Sequence, residues 1–417
     1  QQQQQQQQQF LQQGQQQQQM TQQMLQQQQE LVKAQADMRA SQQEAMAANQ
    51  QLAKQKSLKA QNFAFEQGKK VASAELEQKQ AERQQQMAAK RATVHPYEPF
   101  NPEQDCTELR KAMKGFGCDD KVVNNILGNR SNAQRQTLIN VFRSSIGRDL
   151  IKDLKSETSG SHEELLMAMM KTPAISDAHF LRKAMKGVGT DEQTLIEILC
   201  TRTPQEIAAI KDAYSTEYNR NLSDDVTSET KSVVGKSRLR DILLQLLDHP
   251  RDQDGPVDGA KATLDAVLLN QAGEKKWGTD QQKFIDIFTS RSYSHLFVVF
   301  VEYQKICNYD IRKSIKREMG TKDLSLALQA IVGSVRGLDD FFAQKLCEAM
   351  KGLGTNSSML LRVVVSRSEI DLADIKDEFA RKEEYGKGQT LAKWISDDVR
   401  GSFRSLLHIL IDAKIRI

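Results

Sequence analysis

A short glycine-bearing loop occurs four times between residues 113 and 356, and the copies keep a fixed register with residues far downstream. They are Met113-Lys114-Gly115-Phe116-Gly117-Cys118-Asp119, Met185-Lys186-Gly187-Val188-Gly189-Thr190-Asp191, Lys275-Lys276-Trp277-Gly278-Thr279-Asp280 and Met350-Lys351-Gly352-Leu353-Gly354-Thr355-Asn356. Stepping 42 positions on from Gly115, Gly187 and Lys276 reaches Glu157, Glu229 and Glu318. With 54 acids in 417 residues, three hits from three arise by chance roughly once in five hundred trials, so the period carries structural information. Arg130, Arg202, Arg291 and Arg367 each stand 12 positions after Cys118, Thr190, Thr279 and Thr355. Such a chain folds as a series of similar modules, each burying its apolar face against its neighbours.

The modules begin only near residue 94. Before that the chain is largely Gln with some Ala, Lys and Glu, a composition that buries too little apolar surface to offset its ordering entropy. Residues 1–93 hold 11 Lys and Arg against 7 Asp and Glu, which leaves 47 of each sign in the remainder. A formally neutral body has no standing attraction for nucleic acid or acidic lipid, so binding a polyanion requires added positive charge. No specific nucleic-acid partner is predicted. Five scattered cysteines without CxxC pairs fit reduced thiols in a cytoplasmic protein better than a disulfide scaffold or a zinc site. No apolar run is long enough to span a membrane, so membrane contact would be peripheral. The chain starts on Gln with no leader pattern, as a fragment or trimmed chain would.

Within each module the periodicity is helical, and strands are poorly supported. Leu195, Ile196, Ile198 and Leu199 form one apolar face after the second loop, and Val122, Val123, Ile126 and Leu127 repeat it after the first. Thr190-x-x-Gln193 and Thr279-x-x-Gln282 have the form of capping boxes, as do Ser131-x-x-Gln134 and Thr203-x-x-Glu206, the last with Pro204 at the first helical position. The glycine loop is therefore a helix-to-helix turn. The expected division is a Gln-rich tail over 1–93 and modules over 94–170, 171–248, 249–333 and 334–417, with four or five helices each and a linker at His249–Pro256.

Taken alone, a Gly-x-Gly-Thr string is an ordinary helix cap and turn. Repeated with a register-locked acid, it suits a hard cation. Calcium takes six to eight oxygens, commonly from carbonyls, a bidentate carboxylate and water, and alternate glycines let a short loop turn several carbonyls inward. One carboxylate leaves the ion under-neutralised, so a lipid phosphate can complete its shell and each ligand raises affinity for the other. The loops lack the third glycine and the Lys-Ser/Thr ending of nucleotide-binding loops, and the alternating acids of an EF-hand.

The four modules, the Lys-Gly-x-Gly-Thr loops, the distant acid and the recurring Arg resemble the annexin family over about residues 94–417. The resemblance implies an all-α fold of four homologous five-helix repeats forming a curved disc, with calcium loops on the membrane-facing side. It implies calcium-dependent binding to acidic phospholipid membranes, with roles in membrane organisation, vesicle traffic or repair. Carried over by position, it implies Ca2+ ligands at Met113, Gly115, Gly117 and Glu157, at Met185, Gly187, Gly189 and Glu229, and at Gly273, Lys276, Gly278 and Glu318. The fourth set is Met350, Gly352 and Gly354, where the same step lands on Trp394 and Asp398 stands four residues late. An insertion around Tyr385–Gly388 accounts for the delay. Cys118 and Asn356 depart from the usual Thr and Asp, and are expected to tune their sites, Cys118 by weakening a helix cap.

Trp277, at the tip of the third loop, is a candidate for the lipid headgroup zone; its alternative is to fold back onto the module. Lys114, Lys186, Lys276 and Lys351 are candidate phosphate contacts, or solvated surface lysines. The four recurring arginines are expected to hold modules together through buried carboxylate pairs. In the tail, Met24, Leu31, Met38, Ala45 and Leu52 fall seven apart, a marginal helical seam, and the Gln-rich composition allows self-association or a protein partner. A competing reading makes the tail a scaffold for cytoskeletal or RNA partners with the core as its anchor. No catalytic constellation is present among the six His.

Overall fold

The computed structural model describes a few isolated residues before Gln78, then residues 78, 80–85 and 89–412 apart from 116, 188, 231–236, 250, 274–279 and 320–321. Leu31, Ala45 and Leu52 of the tail seam, and Thr279, Lys276, Trp277 and Gly278, lie outside the described residues. Among those described there is no strand, and no helix is long and apolar enough to cross a membrane.

Five helices recur four times. The first repeat holds α1 (Pro102–Ala112), α2 (Asp120–Gly128), α3 (Asn132–Val141, extended by a π turn at Phe142–Ile146), α4 (Leu150–Glu157) and α5 (Gly160–Met169). The second holds α6 (Pro173–Ala184), α7 (Glu192–Leu199), α8 (Pro204–Tyr218), α9 (Leu222–Glu229) and α10 (Arg238–Asp248). The third holds α11 (Gly259–Gly273), α12 (Gln281–Ser290), α13 (Tyr293–Cys307), α14 (Ile311–Glu318) and α15 (Lys322–Arg336). The fourth holds α16 (Asp339–Met350), α17 (Ser357–Arg367), α18 (Leu372–Arg381), α19 (Leu391–Asp398) and α20 (Gly401–Ile411).

The boxes expected at α3 and α8 are present in full, from Ser131 with Gln134 and from Thr203 with Glu206. Those expected at α7 and α12 are corrected. The cap of α7 is Asp191, whose carboxylate accepts from Thr194 N at 3.1 Å, and that of α12 is Asp280, accepting from Lys283 N at 3.2 Å. An ionised oxygen one residue nearer the helix is the better acceptor for its free N–H groups.

The recurring arginines do form buried or half-buried carboxylate pairs, but each lies within a repeat. Arg130 grips Asp105 with both bonds at 2.7 Å, Arg202 grips Asp177 at 2.7 and 3.0 Å, and Arg291 reaches Asp265 at 2.7 Å. In the fourth repeat Phe342 stands where the carboxylate would be. Arg367 lies 4.9 Å from that ring's centroid and pairs instead with Asp371, one turn on. Arginine's planar fork suits such two-bond clamps between helices of one module.

Other pairs join the repeats. Repeat 1 packs on repeat 4 through α2 against α20 and α5 against α17; repeat 2 packs on repeat 3 through α10 against α12 and α7 against α15. A Cβ at Gly128 would meet Ile409 Cγ2 at 2.6 Å, so α2 and α20 approach closely because that position carries no side chain. Arg362 of α17 meets Glu197 of α7 at 2.8 and 2.7 Å, both side chains at most 3% exposed. Arg135 of α3 meets Glu369 at 2.8 Å.

Contacts to the repeats also begin before residue 94. Thr93 and Val94 both donate backbone N–H to Ser368 O, Thr93 Oγ1 donates to Leu410 O at 2.6 Å, and Arg91 pairs with Asp374 and Asp377. Earlier still, Arg83 donates to Val335 O at 2.9 Å.

Candidate calcium loops

The first, second and fourth loops share one backbone conformation. Their paired glycines have φ of 117° and 90° (Gly115, Gly117), 117° and 86° (Gly187, Gly189), and 114° and 89° (Gly352, Gly354). A Cβ at any of the six would meet nothing within 4 Å. Glycine is thus required by the dihedral angles and not by crowding. Each loop is closed by the same bond, Asp119 N to Ala112 O, Asp191 N to Ala184 O and Asn356 N to Ala349 O; in the third, Asp280 N bonds Ala272 O at 2.9 Å.

The conformation leaves acceptors free. Among the described residues, no hydrogen bond reaches the carbonyls of Met113, Gly115, Gly117, Met185, Gly187, Gly189, Met350, Gly352 or Gly354. Lys114, Lys186 and Lys351 are exposed beside them. Leu353 is fully exposed at the tip of its loop, at 109% of its reference area. Leu353 is not among the candidates drawn from sequence, although it carries a signal there: the residue between the paired glycines is apolar each time, Phe116, Val188 and Leu353.

The proposed carboxylates come to these loops by a common device. Glu157, Glu229, Glu318 and Asp398 are each the last residue of an eight-residue helix, α4, α9, α14 and α19. In the second repeat Thr190 Oγ1 donates to Glu229 O at 2.9 Å. In the fourth, Thr355 Oγ1 donates to Asp398 O at 3.3 Å and also to its carboxylate. Asp398 is therefore the positional counterpart of Glu229. Its delay arises between α18 and α19, where Lys387 and Gly388 adopt positive φ and a Cβ at Gly386 would lie 2.5 Å from Phe379 O. In the third repeat Gly273 and Glu318 are neighbours, the glycine's Cβ direction meeting Glu318 Cγ at 3.4 Å.

Cys118 occupies the place of Thr190 and Thr355, and the cap beside it is Asp119. The expectation that Cys118 weakens a helix cap is corrected accordingly: the position belongs to the tie between loop and acid. Burial first, then Asp120 and Glu157, push its thiol up to about 12.

A second layer holds the acid-bearing helices and escaped the sequence reading. Asp153, four residues before Glu157, is gripped by Arg148 at 2.7 Å with Arg110 at 3.6 Å. Asp225, four before Glu229, is gripped by Arg220 at 2.7 Å, Tyr214 Oη at 2.6 Å and Arg182 at 3.2 Å. These partners hold both carboxyls below the usual range, Arg148 leading for Asp153 and Arg220 for Asp225. In the third repeat Tyr303 Oη donates to Ser314 Oγ at 2.7 Å in the same place. The signal was an Asp four residues before the Glu with an Arg five residues before the Asp.

Among the described residues no three His, Cys, Asp or Glu converge. The first, second and fourth loops each offer several free carbonyls near one carboxylate, a donor set suited to a hard, partly hydrated cation.

The annexin family pattern matches residues 104–169, 176–239, 265–324 and 341–410. The chain belongs to the annexin family. It is 45% identical over 324 residues to annexin A4 of Bos taurus, covering 78% of this chain and 98% of that one. Among solved structures it resembles annexin III, with 41% identity and a TM-score of 0.72 over 77% of this chain and 97% of that one. It also resembles calcium-bound annexin (Sm)1, with 28% identity and a TM-score of 0.68 over 77% and 93% of the two chains. Annexins as a family bind phospholipid in a calcium-dependent way and are membrane-binding proteins rather than enzymes.

Proposed function

We propose that this annexin binds acidic phospholipid membranes when calcium occupies its loops, as a peripheral protein of the cytoplasm serving membrane organisation, vesicle traffic or repair. The observation that carries this is the congruence of three glycine loops with free carbonyls, two of them tied by a Thr hydroxyl to the helix end that bears the carboxylate. The ligands would be the carbonyls of Met113, Gly115 and Gly117 with Glu157, of Met185, Gly187 and Gly189 with Glu229, and of Met350, Gly352 and Gly354 with Asp398. The third set is Gly273, Lys276 and Gly278 with Glu318.

Calcium bound there supplies the positive charge that the neutral repeats lack, and it can share its open positions with lipid phosphate. The chain's own part is to hold the carbonyls, to present one carboxylate per loop, and to place Lys114, Lys186, Lys351 and Leu353 at the surface that meets the headgroups. Trp277, at the third loop in the sequence, is a further candidate for that contact.

Substituting Glu157, Glu229 and Glu318 by Gln, singly and then together, tests the assignment. The calcium needed for half-maximal binding to phosphatidylserine vesicles should rise at each step, because weak sites on one surface act by avidity. An unchanged requirement in the triple variant refutes these carboxylates as ligands.

A further inference from the structure

A cavity of about 310 Å³ lies between repeats 2 and 3, lined by none of the described loop residues and in part by Ile207, Ala208, Lys211, Leu247, Arg251 and Tyr293. Arg251 comes from the linker and is 8% exposed. Its Nη1 donates to Phe288 O and Arg291 O, both at 2.6 Å, and its guanidinium lies 4.7 Å from the Tyr293 ring centroid. Among the described residues no carboxylate pairs with it. Asp254, the carboxylate among the groups that act on it after burial, Tyr293 and Cys200, forms no ion pair with it and accepts instead from Ser294 N at 2.7 Å. Burial holds the pKa of Arg251 down, as it does that of Arg135 in repeat 1. A guanidinium taken out of water without a counter-ion is costly.

The repeat architecture supplies an internal control. In repeat 1, Arg135 ties off α2 as Arg251 ties off α12: its Nη1 donates to Leu127 O and Arg130 O, the positions that match Phe288 and Arg291. The two arginines cap a helix C-terminus in the same way, so the helix dipole favours both equally. Yet Arg135 also sends Nη2 to Glu369 at 2.8 Å. Both arginines border a cavity, but among the described residues no carboxylate takes that place at Arg251.

Around the guanidinium the wall is amphipathic. Lys211 Nζ donates to Leu247 O at 2.9 Å and to Asp248 at 3.2 Å, so its charge is already paired; Asp212 and Asp248 also line the cavity, and among the described lining residues Arg251 is the arginine or lysine without a carboxylate partner. Ile207 and Leu247 offer apolar surface and Tyr293 an aromatic face. The volume is at the small end of ligand sites, which pair mostly apolar linings with a few polar groups.

We propose that this cavity binds a small organic oxyanion, a carboxylate or phosphate monoester on a compact apolar body, with Arg251 as its principal counter-ion. The anion stands where Glu369 stands for Arg135. The site is independent of the calcium loops, and its test is run in chelator so that the two readings fail separately.

The full-length chain, in excess EGTA, is titrated by calorimetry with phenyl phosphate, benzoate and inorganic phosphate. Saturable binding at one site per chain is expected for phenyl phosphate or benzoate, with a dissociation constant at or below about 1 mM, and whichever binds more tightly identifies the head group. Inorganic phosphate, lacking the apolar body, should bind at least about tenfold more weakly. Arg251→Met should abolish binding. Because that change also orphans two carbonyls, Ala208→Trp, which fills the cavity and leaves the arginine in place, should weaken binding by at least about tenfold with thermal unfolding unchanged. No saturable binding of either organic anion, equal affinity for inorganic phosphate, or undiminished binding by a folded Ala208→Trp chain would each overturn the proposal.

Discussion

Asp339 opens α16 beside Asp371 and Asp374, and burial together with those two charges pushes its carboxyl up to about 6 from an ordinary 3.8. The proton is held more tightly in the folded chain than in the unfolded one. Its stabilising contribution is therefore complete below pH 3.8 and is lost as the pH rises through about 6. Asp339→Asn, neutral at every pH, should raise the melting temperature at pH 7.5 and leave it nearly unchanged at pH 4. Allowing for partial exposure, the gain at pH 7.5 should be below ~1 kcal/mol. Arg362 makes the opposite case. Removing it as Arg362→Met leaves Glu197, 0% exposed, as an unpaired buried charge. A loss of about 3–5 kcal/mol is expected in denaturant unfolding. Much of that loss should be recovered in the double variant Arg362→Met with Glu197→Leu, which removes both charges together.

At the scale of the element, the helices and their modular repetition were legible because apolar positions at Leu195, Ile196, Ile198 and Leu199 and the signals at Ser131 and Thr203 are local. The cap of α7 was not. Thr190 looked like the start of a capping box, but its hydroxyl is spent on Glu229 O, 39 residues away, and Asp191 takes the cap. A local pattern cannot report a long-range competitor. The arginine spacing revealed the repeat without naming its partners, since Asp105, Asp177 and Asp265 lie on the preceding first helices and Phe342 breaks the series. The delay of Asp398 was readable as an insertion, whereas its equivalence to Glu229 needed the Thr355 contact. The loop tip yields its own prediction. Leu353→Ser should leave the melting temperature unchanged, because the side chain touches little, and should weaken calcium-dependent vesicle binding by up to about tenfold if the leucine is buried in lipid.

Across the whole set of repeats, the register seen in sequence becomes a common spatial arrangement: the acid ends the fourth helix of every repeat while the glycine loop joins the first helix to the second. Buried pairs such as Arg362 with Glu197 and Arg135 with Glu369 link repeats that are distant in sequence, so loops on different repeats are carried by one packed core. Residues 94–417 contribute 47 charges of each sign, so on the proposed function it is bound calcium that would attract the repeats to a negative surface. Sedimentation of the full chain with phosphatidylserine or phosphatidylcholine vesicles, in millimolar calcium or in EGTA, tests this most directly. The account predicts that the chain pellets only with phosphatidylserine and calcium together, and is released by chelator. Equal pelleting in EGTA, or none at saturating calcium, would contradict it.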